Sequence, residues 1–205
     1  MTKIYRCVLL IARNHGLDTL MSLLQLKKFN VLAVFTHKYN PKSYDPEKKK
    51  RIDYDAFVKL TTSHNIPLLT VDSKSELSKL DNFCSAIEYN FLISISWRYL
   101  ISPNVFMKSN IGSINIHRGD LPKYAGIEPI RRALENNENE IAICSHNITE
   151  NYDEGKVLCK AKHPTNYDSR KTLNQNVKRL KDEITPYFSQ LTIKSLEMLI
   201  TKYEE

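Results

Sequence analysis

The sequence predicts an α/β fold, a three-layer sandwich around a mostly parallel, twisted sheet. Three observations carry that expectation. Short apolar runs rich in Val, Ile, Leu and Phe alternate along the chain with amphipathic stretches of helical period. The first such unit reads strand, helix, strand, which within one sheet calls for a right-handed crossover between parallel strands. Polar residues then collect at the ends of the later strands, where open α/β sheets bind their ligands.

In order along the chain, residues 4–12 (IYRCVLLIA) read as a buried strand, and residues 17–28 as a helix with Leu17, Leu20, Met21, Leu23 and Leu24 on a broad apolar face. VLAVFTH (31–37) is the second strand. KYNPKSYDPEKKKR (38–51) has two prolines, six basic residues and no apolar period, so it predicts an exposed loop. A helix is expected over 52–64, a strand at 66–69 and a short helical stretch near 73–80. FLISIS (91–96) and IGSINIH (111–117) read as central strands. Pro129 suits the start of a helix over 128–137, because the first turn has no use for its missing N–H. EIAICSHNI (140–148) and KVLCKAK (156–162) are strands on either side of the turn NYDEG, and from residue 169 the pattern is helical, broken by Pro186. No repeat or linker divides the chain. Residues 1–205 are therefore expected to form a single domain with its core at 3–165 and a helical segment at 169–205.

With 205 residues and 41% hydrophobic content, the chain can bury one core without disulfides or metal. Cys7, Cys84, Cys144 and Cys159 are scattered with no CxxC pair, which predicts free thiols in a reducing compartment and no metal site. No run approaches the ~18 apolar residues that span a bilayer, and the start lacks a cleavable leader. A soluble, cytoplasmic protein without membrane association is the expectation. The net charge of +7 permits an anionic partner without identifying one. The glycine-rich dinucleotide fingerprint is missing, since ARNHG after the first strand holds only Gly16, and this disfavours a nicotinamide cofactor.

The chemistry-bearing residues lie late in the chain. Asn115 and His117 are two apart, hence on one face of a strand, and Asp153 sits in the turn after the next strand. A histidine moves protons near neutral pH, a carboxylate orients it or holds it charged, and a side-chain amide donates to a developing oxyanion. That set suits acyl transfer to an amine brought by the substrate, with no Ser or Cys nucleophile. Each residue also has a plainer reading, as a turn former or a satisfied hydrogen-bonding group.

The run NIHRGDLPKYAG, followed about 30 residues later by ITENYDEGKVL, resembles the signature of the formyltransferases that use 10-formyltetrahydrofolate. Asn115, His117, Leu121, Pro122, Gly126, Asp153 and Gly155 carry the resemblance, which extends over residues 3–165. It implies a Rossmann-like formyltransferase fold and direct attack of a substrate amine on the formyl carbon, with Asn115, His117 and Asp153 catalytic. By position it implies that the folate lies between the loop at Arg98, Tyr99, Leu100 and Ile101 and the loop at Thr149, Glu150 and Asn151. The acceptor would meet Arg118, Gly119, Asp120, Tyr124, Gly126 and Glu128, with Asp120 or Glu128 holding an ammonium group or hydroxyls. For Asp120 and Glu128 a solvated turn carboxylate is an equal alternative.

SISWRYLI and INIHRGDLPKYAGIEPI look most like the small sugar N-formyltransferases, which implies a nucleotide-linked amino sugar as acceptor and permits a homodimer. Methionyl-tRNA and glycinamide ribonucleotide are the alternatives within the family, although ARNHG lacks the Gly-Ser-Asn turn of the latter group. Lys48, Lys49, Lys50 and Arg51 could meet a pyrophosphate or an RNA backbone, or simply form a solvated loop. A non-catalytic nucleic-acid-binding relative is the alternative of another class, and the intact Asn115, His117 and Asp153 weigh against it.

Overall fold

The computed structural model describes residues 3–43 and 45–205; Tyr44, within the loop read at 38–51, lies outside the described residues. The chain forms two compact units, Met1–Ser113 and Ile114–Glu205.

The first unit alternates strands and helices: β1 (Tyr5–Ile11), α1 (Arg13–Gln25), β2 (Phe29–Thr36), α2 (Tyr54–Ser63), β3 (Leu68–Thr70), a 3₁₀ turn at Lys74–Leu77 leading into α3 (Ser78–Ser85), β4 (Phe91–Ile95) and α4 (Pro103–Phe106). β1 pairs in parallel with β2 and β4, and β2 with β3, giving the order β3-β2-β1-β4. Cys7 through Ile11 are wholly buried, which explains why β1 is a continuous apolar run and not an alternating one. The helix α1 begins four residues before its apolar face predicts. Gly16 lies inside it, where an added Cβ would stand 3.1 Å from the Ile11 Cβ, so the missing side chain lets the helix lie close against β1.

The described residues of segment 38–51 form the expected loop between β2 and α2, largely exposed, with Arg51 as the exception. Its ends pair through Tyr39 and Lys50, and the carboxylate of Asp45 accepts from the Glu47 and Lys49 amides and from the Asn40 side chain. Arg51, expected on the surface with the lysines, is fully buried. Its guanidinium forks onto Asp53, donates to the Thr36 hydroxyl and the His37 carbonyl, and lies over the Phe57 ring. A planar cation with five donors can be sunk this way because every side of it finds an acceptor or an aromatic face. Arg51 is a strut fastening the hairpin to β2.

The second unit carries β5 (Gly112–His117), which begins at the last residues of the first unit, then α5 (Pro129–Glu135), β6 (Glu140–Asn147), β7 (Val157–Pro164), α6 (Leu173–Glu183) and α7 (Thr185–Glu204). Here the pairing is antiparallel, β5 with β6 and β6 with β7. The connection 148–156 is too short for a parallel crossover. Ser195 of α7 donates to Ser145, and its hydroxyl lies 2.9 Å from the Cys159 thiol, so α7 packs on the face that bears Ser145 and Cys159. Asn115 is paired with His146, and His117 with Cys144, on the opposite face. Pro186 sits in the first turn of α7, which divides the helical segment where the pattern breaks. Among the described residues no helix is long and apolar enough to cross a membrane.

Asp53→Ala leaves the buried Arg51 charge uncompensated, and about 3–5 kcal/mol of stability is expected to be lost. Urea titration measures it. A loss below about 1 kcal/mol would show that the pair does not anchor the hairpin.

Candidate active site

β5 ends at His117, and everything around that ring is arranged by the two segments that follow. Nε2 of His117 lies 2.8 Å from the Tyr124 carbonyl oxygen, an acceptor only, so this nitrogen carries a proton. Nδ1 faces Oδ2 of Asp153 at 3.2 Å. The loop can bring the Tyr124 carbonyl so close because residue 119 is glycine; an added Cβ would fall 2.5 Å from that oxygen and 2.7 Å from the ring nitrogen. Arg132 of α5 holds the loop by donating to the Ala125 carbonyl at 2.6 Å. The Tyr124 hydroxyl donates to Glu138, also at 2.6 Å.

Asp153 reaches this strand end through a tight return. Its own backbone is left-handed, with φ 57°, a conformation that Asp adopts more readily than most residues. Two residues on, a Cβ on Gly155 would stand 1.7 Å from the Asn147 carbonyl oxygen, so no other residue fits the end of β6. The Asp153 carboxylate then meets four groups. Oδ2 accepts from the Gly126 amide at 2.9 Å and faces His117; Oδ1 lies 3.5 Å from Asn115 Nδ2 and 3.4 Å from His146 Nε2. His146 and Asn115 are themselves 3.0 Å apart.

Burial opposes ionisation of this carboxyl, but His146, His117 and the Gly126 amide outweigh it and hold its pKa below the ordinary value. Burial also lowers the pKa of His117, against the upward pull of Asp153 and the Tyr124 carbonyl; His146 and Arg118 add to the lowering. Both shifts favour a carboxylate beside an imidazole that charges only when further negative charge arrives.

Asn115, His117 and Asp153 are thus brought together, and His146 joins them. Sequence reasoning passed over His146. Its signal was its position in EIAICSHNI, one strand across from Asn115, which becomes a contact only once β6 is known to run antiparallel.

The other expected residues are placed as follows. Tyr124 and Gly119 are buried, and their part in the cluster is the backbone approach to His117. Gly126 meets Asp153 through its amide. Arg118 flanks His117 electrostatically. Asp120 is engaged by Lys160, while Glu128 is exposed, left-handed at φ 50° and 3.4 Å from Arg131. Thr149, Glu150 and Asn151 lie on the surface, with Asn151 donating to Glu154. In the first unit, Arg98 donates to the Tyr39 carbonyl, and its pKa is lowered to about 10 by burial and then by Arg13 and Arg51. Trp97 stacks on His37, Tyr99 packs edge-on to both, Leu100 is half exposed and Ile101 is buried.

The chain is 29% identical over 184 residues to the methionyl-tRNA formyltransferase of Orientia tsutsugamushi (strain Boryong), covering 87% of this chain and 54% of that protein. It therefore spans about half the length of that relative. Phosphoribosylglycinamide formyltransferase from Bacillus halodurans has the same fold, with a TM-score of 0.71 over 97% of this chain and 96% of that one at 18% identity. So does the sugar 3N-formyl transferase WlaRD, with a TM-score of 0.62 at 20% identity, over 97% of this chain and 64% of that one. These likenesses agree with the α/β expectation. Residues 6–188 match the family model described as formyl transferase, and the chain belongs to that family.

Proposed function

We propose that this chain transfers a formyl group from 10-formyltetrahydrofolate to a primary amine. The observation that carries the reading is the convergence of Asn115, His117 and Asp153 on one buried cluster at the end of β5. When bound, the folate supplies an activated formyl group on nitrogen. The loop after β4 suits a flat heteroaromatic donor: Tyr99 and Leu100 offer aromatic and apolar surface, and Arg98 a cation. We take residues 98–101 as contacts to it, on the family resemblance.

Asn115 Nδ2 lies 3.0 Å from His146 and 3.5 Å from Asp153, and the proton on the longer contact turns to the formyl oxygen as negative charge builds there. His117 adds positive charge on the same side. With Nε2–H engaged by the Tyr124 carbonyl, the nitrogen that takes up a proton is Nδ1, which faces Asp153. The pair takes the proton lost by the attacking amine and returns it to the departing nitrogen. Donors fixed in advance toward the developing charge contribute about 10²–10³ in rate, and a positioned acid–base group about 10²–10⁴.

For the acceptor we favour a nucleotide-linked amino sugar, from the likeness of SISWRYLI and INIHRGDLPKYAGIEPI to the sugar N-formyltransferases. Of the two carboxylates we favour Glu128 to meet an ammonium or hydroxyl group, because it is the more exposed, with Arg131 3.4 Å away, whereas Lys160 engages Asp120. Methionyl-tRNA is the second reading, favoured by the sequence relative from Orientia.

Asn115→Ala, His117→Ala and Asp153→Ala are each expected to lower kcat by about 10²–10⁴ with unchanged circular dichroism. Near-normal turnover in all three would sink the mechanism. Release of tetrahydrofolate, followed by absorbance against nucleotide-linked amino sugars, charged initiator tRNA and glycinamide ribonucleotide, identifies the acceptor. The expected outcome is turnover with an amino sugar, and turnover with tRNA alone would replace it by the second reading.

A further inference from the structure

His37 is fully buried at the end of β2, and the proposed chemistry gives it no part. Nδ1 lies 2.6 Å from the Val71 carbonyl oxygen, which can only accept, so Nδ1 carries the proton. Burial, and then the Arg98 guanidinium, lower the pKa of this ring to about 3, so it stays neutral. Nε2 is then a bare acceptor, and it has no hydrogen-bond partner among the described residues. A ring that only filled space would do so better as hydrocarbon, because a buried nitrogen left unpaired is costly. Histidine offers two things together: an edge N–H that ties the ring to the end of β3, and a flat face.

The face is used. Trp97 stacks on it, with ring centroids 4.6 Å apart and planes 26° from parallel, and Tyr99 meets the two rings edge-on at 5.6 and 5.9 Å. His37 follows β2 and Trp97 follows β4; these strands lie on either side of β1 and so about 10 Å apart, a gap that the two rings bridge. Residues 97–102 belong to no helix or strand. Side chains fix them instead: the stack at Trp97, and the Arg98 guanidinium, which donates to the Tyr39 carbonyl.

We propose that His37 is a positioning residue for the formyl donor: the face of its ring keeps Trp97 and Tyr99 in place, and with them the loop at 98–101 against which the donor's flat ring lies. The proposal rests on the formyl-transfer reading and goes beyond it by naming what fixes that loop.

Two substitutions separate the ring's face from its edge. Asparagine can keep the bond to the Val71 carbonyl but has no face, whereas phenylalanine fills the same slot, keeps the face and loses the bond. In titration calorimetry with 5-formyltetrahydrofolate as the probe, His37→Asn is expected to raise Kd about three- to tenfold, the range that one aromatic contact supplies, and His37→Phe to leave it within about twofold. In the full reaction the KM of the donor follows Kd, while kcat at saturating donor stays within about twofold. Trp97→Leu removes the other half of the stack, so alone it raises Kd as His37→Asn does, and the two together raise it no further. Unchanged affinity in His37→Asn, equal weakening in His37→Phe, or additive losses in the double variant would overturn the proposal.

A second readout needs neither donor nor acceptor. Trp97 is the one tryptophan in the chain, so its fluorescence reports on this loop alone. Acrylamide is expected to quench it more strongly in His37→Asn than in wild type, and to the wild-type extent in His37→Phe. Equal quenching in all three proteins would refute the support of the loop. Failure of the wild-type protein to bind 5-formyltetrahydrofolate would strike the function proposed above, and the quenching would then decide the role of His37.

Discussion

The second unit is organised around one buried carboxylate. Asp153 is the point at which three separate segments are joined: β5 through Asn115 and His117, β6 through His146, and the loop before α5 through the Gly126 amide. A carboxylate here is costly unless its oxygens are satisfied, and His146, His117 and the Gly126 amide are what hold it ionised. The constraint also runs the other way. With Asp153 absent, the Nδ1 side of His117 would face no carboxylate to balance the charge it gains on taking up a proton, and the Gly126 loop would lose its tie to the strand end. Chemistry and local order therefore depend on the same charge.

What places that charge is backbone geometry. Gly155 lies under the Asn147 carbonyl and the left-handed Asp153 folds back over it, so the return from β6 to β7 is tight enough to bring the side chain to the neighbouring strand. On the far side of the ring, Gly119 admits the Tyr124 carbonyl, with Arg132 and Glu138 fixing the loop from outside. His117 is thus gripped at both nitrogens before any ligand arrives. Orientation of this kind, fixed in folding, is the main way a protein site outperforms water around the same groups.

The strand and helix plan was legible because burial leaves a periodic mark: β1, β4 and β6 are apolar runs of the right length, and Pro186 interrupts the last helical pattern where the chain bends. The signature residues Asn115, His117 and Asp153 were legible from type and spacing. Two kinds of fact left no such mark. Arg51 looks like its lysine neighbours until Asp53, Thr36 and the His37 carbonyl are folded around it, since burial of a cation depends on partners distant in sequence. His146 looks like any strand residue until the antiparallel register sets it across from Asn115. Backbone contributions, such as the Tyr124 carbonyl, depend on no side chain at all.

The segment 38–51 shows how folding changes the meaning of a charge run. Its basic run suggests a surface for phosphates. Folding depletes it. Arg51 is withdrawn into the first unit, Lys49 is set 2.7 Å from Glu47, and Lys50 2.7 Å from Asp55. Between Lys38 and Asp55 six basic residues are set against four carboxylates. Exposed pairs of this kind are weak, and a polyanion can displace them. Even so, the surplus releases counterions for only about two phosphates, whereas sites built for nucleic acid typically engage six to ten. The segment's surplus charge is thus smaller than such a nucleic-acid contact uses.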